Sequence, residues 1–230
     1  MPRASTRIPI YLEIGKNKTF AGPLEWPGWC RSGKGEAAAL DALLEAGPRY
    51  AKIFSRTKID FSAPDDVSVF EIVERLKGSS ATDFGAANIA PGYDSGKMDK
   101  AEFERAREII KATWKALDEA IAAAKGKELS KGPRGGGREL DGIVEHVVMA
   151  DGGYLNRLGH KVPATDETNL EERLDLTRQT VMQALDAAER DEIPERGPRG
   201  GQMWTPRYYI RRSTWHTLDH AWEIEDRIVT

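Results

Sequence analysis

Two of the four histidines in the chain, His216 and His220, stand four residues apart. On a helix that spacing sets two imidazoles on one face about 6 Å apart, and lets them converge on a cation with N–metal distances near 2.0–2.1 Å. Tyr209, Ser213, His216, His220, Ile224 and Ile228 fall on one helical stripe, while Arg212, Asp219, Glu223 and Arg227 fall largely elsewhere, so both histidines are expected to face a protein interior. His146 shares a stripe with Ile143, Ala150, Gly153 and Tyr154 on an earlier helix and is expected to face inward too. Inward imidazoles have two readings: separate core histidines, each satisfied by a local hydrogen bond, or ligands of one shared ion. Three of them on two facing stripes favour a divalent metal site, His146 with His216 and His220. Three neutral imidazoles leave positions on Zn, Ni or Fe open to water or substrate, the pattern of a catalytic rather than a structural site. Glu145, Asp151, Asp219 and Glu223 lie near enough in sequence to orient an imidazole, although for each of them an exposed carboxylate is the first expectation.

The elements that must carry these residues are helices. Phe103, Ala106, Ile110, Trp114, Leu117, Ile121 and Ala124 recur three or four apart and predict a helix over 99–125. Similar stripes predict helices over 138–158, 166–190 and 206–229, four in all, which together make a four-helix bundle over 96–230. Gly-Pro-Arg-Gly-Gly occurs twice, at 132–136 and 197–201, each time before a histidine-bearing helix, and suggests an internal helix-loop-helix repeat. Arg134 and Arg199 sit in these loops, where they either bind an anionic substrate or thiol cofactor or are solvated loop arginines. The segment 159–165, with Pro163, suits a crossover rather than a tight turn. His160 is expected to be exposed, and Trp215 and Trp222 to pack on a second face of the last helix.

Residues 1–95 read as a smaller α/β unit with a linker. Ile8, Ile10, Leu12 and Ile14 alternate with polar positions, and a turn at 15–18 leads into 19–24, a β-hairpin. A helix is expected over 35–46, stopped by Gly47-Pro48, then a strand pair over 50–61 and a short helix over 66–77 capped by Asp65 or Asp66. The Gly-, Ser- and Pro-containing stretch 78–96 is the expected boundary.

Composition narrows the class. Hydrophobic residues make up 40% and charged residues 31%, with a formal net charge of -3 and the two signs interspersed, so no basic stripe invites nucleic acid. No apolar run approaches the roughly 20 residues of a membrane span. The single cysteine, Cys30, excludes an internal disulfide and reads as a partly buried bystander or a reactive thiol; with no signal peptide it fits a cytoplasmic protein.

The segments Asp141-Gly-Ile-Val-Glu-His146 and Trp215-His216-Thr-Leu-Asp-His220 resemble the DinB/YfiT family of metal-binding bundles over roughly residues 97–230. The resemblance implies one metal-ligating histidine on the second helix and an H-x-x-x-H pair on the fourth, at His146, His216 and His220. It further implies an up-down-down-up bundle, a homodimer, and activity as a hydrolase or as a thiol-dependent transferase or isomerase on a small molecule; a non-catalytic metal-binding stress-response or interaction protein is the alternative. Leu24-Glu-Trp-Pro-Gly-Trp29, followed by Ser32-Gly-Lys-Gly and an Ala/Leu-rich helix, is similar to the HicB-like antitoxin fold. A lid or interaction module is the expected role of that unit.

Overall fold

The computed structural model describes residues 7–131, 137–198 and 200–229. The chain is α+β and divides into two units, Met1–Gly96 and Lys97–Thr230.

In the first unit the alternating segment forms β1 (Ile8–Ile14), which pairs antiparallel with β2 (Thr19–Pro23); β2 pairs with β3 (Arg31–Gly33). Next comes α1 (Glu36–Ile53), then β4 (Phe70–Lys77), which lies parallel to β1 and completes a sheet of order β3-β2-β1-β4. Three expectations are corrected here. The helix runs through Gly47-Pro48 instead of stopping. A proline inside a helix loses one hydrogen bond and crowds a carbonyl of the preceding turn, but the cost is local and packing can offset it. Here Gly47 lets the helix approach Trp29, Tyr50 stacks on the Trp29 ring at 5.8 Å, and the Trp29 indole donates to Leu43 O at 2.8 Å. That continuation consumes the start of the expected strand pair over 50–61, and no strand occurs there.

The third correction concerns 66–77. Asp66 does cap a helix, accepting from Ser68 N at 2.7 Å, but only a single 3-10 turn, Val67–Val69. The residues beyond it alternate, with Phe70, Ile72, Glu74 and Leu76 less exposed than Glu71, Val73, Arg75 and Lys77, the period of a strand. Gly33 is forced by packing, since a Cβ there would come 2.3 Å from Ala38 C at the start of α1. A short helix, α2 (Ser80–Phe84), carries a capping box from Ser79. Glu13, fully buried, accepts from Thr82 Oγ1, Asn88 N and Ile89 N and ties this segment to β1. Cys30 is buried.

The second unit is built from α3 (Lys100–Ala124), α4 (Leu140–Arg157), α5 (Leu170–Glu189) and α6 (Pro206–Arg227). Their starts follow local chemistry. Asp99 and Glu102 form a capping box, Asn169 caps α5, and Thr205 caps α6 with Pro206 in its first turn, where a missing N–H costs nothing. Side-chain pairs give the relative directions. Arg207 meets Glu102 and Leu129 bridges Ile228, so α3 and α6 run parallel. Glu145 meets Arg173, and Leu155 packs with Val181 and Leu185, so α4 and α5 run parallel as well. Arg107 bonds Asp186 and Glu189 while Arg178 bonds Asp118, so α3 and α5 are antiparallel. The same holds for α4 and α6, with Asp151 on Ser213 and His146 beside His216 and His220. Among the described residues no helix is long and apolar enough to cross a membrane.

Candidate metal centre

α6 is buried on nearly all sides rather than along one stripe: Trp215, Leu218 and Trp222 are as inaccessible as the histidine face. The expectation that its charged residues lie outward therefore fails for Arg227, which is 4% exposed. His216 and His220 are 6% and 9% exposed, and His146 of α4, less buried, faces them. One ring nitrogen from each lies within 4.8 Å of the others. His146 Nε2 and His216 Nε2 are 3.2 Å apart, and the three rings meet pairwise at centroid distances of 5.1, 5.0 and 4.6 Å.

This geometry suits an ion. A tetrahedral ion holding imidazole nitrogens at about 2.0–2.1 Å sets them roughly 3.3 Å apart, close to the His146–His216 spacing. His216 Nδ1 is buried with no hydrogen-bond partner among the described residues, and Nε2 of the same ring has only His146 Nε2 beside it. Comparison with protein-family models, with curated proteins and with solved structures gives no match.

Electrostatics keeps the donors ready. Burial, followed by the charges of His220 and Arg138, lowers the His146 pKa to about 4; burial likewise holds His216 well below the usual imidazole range, aided by the charges of His220 and Arg212. Both rings are neutral at physiological pH, the state in which imidazole binds metals.

Of the four nearby carboxylates, three depart from the exposed state expected of them. Glu223 Oε2 accepts from His220 Nδ1 at 2.8 Å, which turns the Nε2 lone pair of that ring toward the other two histidines. Its second oxygen accepts from Arg227 Nη1 at 2.9 Å, and Arg227 also donates to Ser130 O at 2.7 Å and Arg138 O at 3.0 Å. The His220 hydrogen bond, with help from Arg227, holds the Glu223 carboxyl below its ordinary range, so it stays a charged acceptor. Asp151 is 2% exposed and bonds Ser213 rather than an imidazole. Glu145 is exposed and paired with Arg173. Asp219 is partly buried.

Sequence reasoning missed Arg212 and the aromatic wall. The Arg212 guanidinium lies over Tyr154, whose ring meets His216 edge-on at 5.6 Å, and Trp204 packs on Tyr154 at 5.4 Å. The i, i+4 relation of Arg212 to His216 was the available signal. Arg134 and Arg199, proposed from sequence as anion-binding residues, lie outside the described residues. His160, expected exposed, is partly buried with its Nδ1 enclosed.

Glu223→Gln should weaken metal binding by about 10–100-fold, the usual cost of losing a carboxylate that orients a ligating imidazole. Competition with a chelating dye measures it. An unchanged affinity would mean that the His220–Glu223 contact does nothing for the site.

Proposed function

We propose that residues 97–230 form a DinB/YfiT-like four-helix bundle of up-down-down-up arrangement that binds one divalent metal, Zn, Ni or Fe, through His146, His216 and His220. The reading makes it a metal-dependent enzyme, a hydrolase or thiol-dependent transferase acting on a small molecule, working as a cytoplasmic homodimer without nucleic acid or membrane. The two parallel and two antiparallel helix pairs support the arrangement. The observation that carries the function is the convergence of three imidazoles, with no fourth His, Cys, Asp or Glu grouped with them among the described residues. Three protein donors leave coordination positions for water and substrate.

Each part of the chain has a role in this scheme. His146 and His216, neutral because burial disfavours their charged forms, offer lone pairs without first losing protons. Glu223, held by Arg227, fixes the tautomer and ring plane of His220. Tyr154 and Trp215 flank His216, with Trp204 packed behind Tyr154, and limit water around a bound molecule. A bound ion would supply a water of lowered pKa or polarise a substrate oxygen or sulfur. The HicB-like first unit serves as a lid or interaction module.

Chelation separates this reading from a structural metal. The helices are stabilised by their own apolar faces, so far-UV circular dichroism should survive removal of the ion. Hydrolysis of an activated ester, or thiol transfer, should vanish and return with added metal. Unfolding on chelation would instead assign the ion to holding the helices together.

A further inference from the structure

We propose that Arg212 is the anion-binding residue of the histidine site and that the small molecule taken there carries a carboxylate. The inference deepens the metal-enzyme reading and rests on it for the location of the reacting end of the ligand.

Arg212 lies one helical turn before His216 on α6. Its guanidinium is held between two aromatic faces, with Cζ 4.6 Å from the ring centroid of Trp215 and 5.1 Å from that of Tyr154. Tyr154 in turn contacts the His216 ring, so the cation sits one ring away from the candidate ligands. Arg212 Nη1 is buried and has no acceptor among the described residues. A buried guanidinium N–H left without an acceptor is costly and rare. Arg107, Arg173, Arg178, Arg207 and Arg227 of this unit each bond a carboxylate through their outer nitrogens, even where, in Arg178 and Arg207, a buried Nε has no partner of its own among the described residues. Arg212 is given aromatic faces instead, which fix the plane of its fork and leave its in-plane donors for something else.

Carboxylate is the complementary chemistry. It is a planar monoanion whose oxygens lie in the guanidinium plane, and the flanking rings accept the apolar remainder of the molecule. Lysine at this place would present a point charge without a preferred plane. A ligand anchored this way on Arg212 can direct its other end to the positions left free by His146, His216 and His220.

The test uses the full chain loaded with Co²⁺, whose visible spectrum responds to added ligands, titrated with acetate and with its neutral isostere acetamide. Loss of a charge-assisted hydrogen bond should make Arg212→Gln bind acetate about tenfold more weakly or worse, with cobalt occupancy and acetamide affinity unchanged. Arg212→Lys should recover only part of the loss, and it serves as the folded comparison if the glutamine variant is unstable. In parallel, acetate should raise the melting temperature of the metal-free wild type, raise that of Arg212→Lys less, and leave that of Arg212→Gln unmoved. That arm is independent of cobalt, so failure of Co²⁺ to bind would overturn the metal reading while leaving Arg212 judged on its own. Acetate affinity and thermal shift equal to wild type in both variants would overturn the proposal.

Discussion

His216→Ala should lose metal more completely than any other single substitution in the chain, with an affinity loss greater than the 10–100-fold expected for an orienting carboxylate. His216 is the most deeply buried of the three histidines. It contacts both other histidine rings and Tyr154, and its Nε2 makes the 3.2 Å approach to His146. Elemental analysis after dialysis should fall from about one ion per chain in wild type to a small fraction of that, a three-donor open site having little affinity left with two. Thermal denaturation supplies an independent readout. An ion that binds only the folded state adds RT ln(1 + [L]/Kd), about 2.7 kcal/mol at a hundredfold excess over Kd, so added metal should raise the wild-type melting temperature and leave that of His216→Ala unmoved. In the metal-free protein the substitution should be mild, because alanine also removes a buried ring nitrogen that has no partner. Full metal occupancy in His216→Ala would refute the three-histidine site.

The histidine cluster was legible because it depends on one regularity, the 3.6-residue period, and because α4 and α6 keep that period without interruption around His146, His216 and His220. What the period could not give was reach. Glu223 was assigned to an outer face by its angle, yet its side chain turns back three residues to His220, drawn by Arg227 one turn further on. Arg212 was set aside as polar for the same reason, although aromatic faces on α4 and α6 make a place for a guanidinium that no hydropathy pattern records. In the first unit the errors have a different source. Gly47-Pro48 is a strong local stop, overridden by the packing of Trp29, Tyr50 and Leu43. In 70–77 the glutamates, arginine and lysine are good helix formers, but the pairing of β4 with β1 decides the outcome, and the alternation of Phe70, Ile72 and Leu76 with exposed neighbours was the better guide. Local preference lost to long-range contact in both cases, whereas the helices around the histidines satisfied both together.

Asp151→Asn should stabilise the metal-free protein, and the gain should grow with pH. Asp151 is enclosed between α4 and α6, where Ser213 Oγ donates to Oδ1 at 3.3 Å and the buried Tyr209 lies nearby; Arg178 of α5 is the opposite charge that acts on it. Burial dominates these influences and raises its pKa to about 7 from an ordinary value of 3.8. A carboxyl whose folded pKa is raised favours the folded state only while both states are protonated. As pH climbs from about 4, the unfolded chain releases its proton while the folded chain holds it, and stability falls until the folded group ionises near pH 7. At 1.36 kcal/mol per pH unit the full penalty is about 4 kcal/mol, of which about 3 kcal/mol develops between pH 5 and pH 8. Asparagine has the same shape, can still accept from Ser213, and never ionises. The variant should therefore exceed wild type by about 3 kcal/mol more at pH 8 than at pH 5, a difference that urea unfolding with a chelator present measures directly. Subtracting the two proteins cancels the opposite trend from His146, whose pKa of about 4 makes stability rise between about pH 4 and 6.5, and from His216, whose pKa is lowered in the same direction. A gain independent of pH, or a wild type more stable at pH 8, would mean that Asp151 is charged and satisfied in the folded protein.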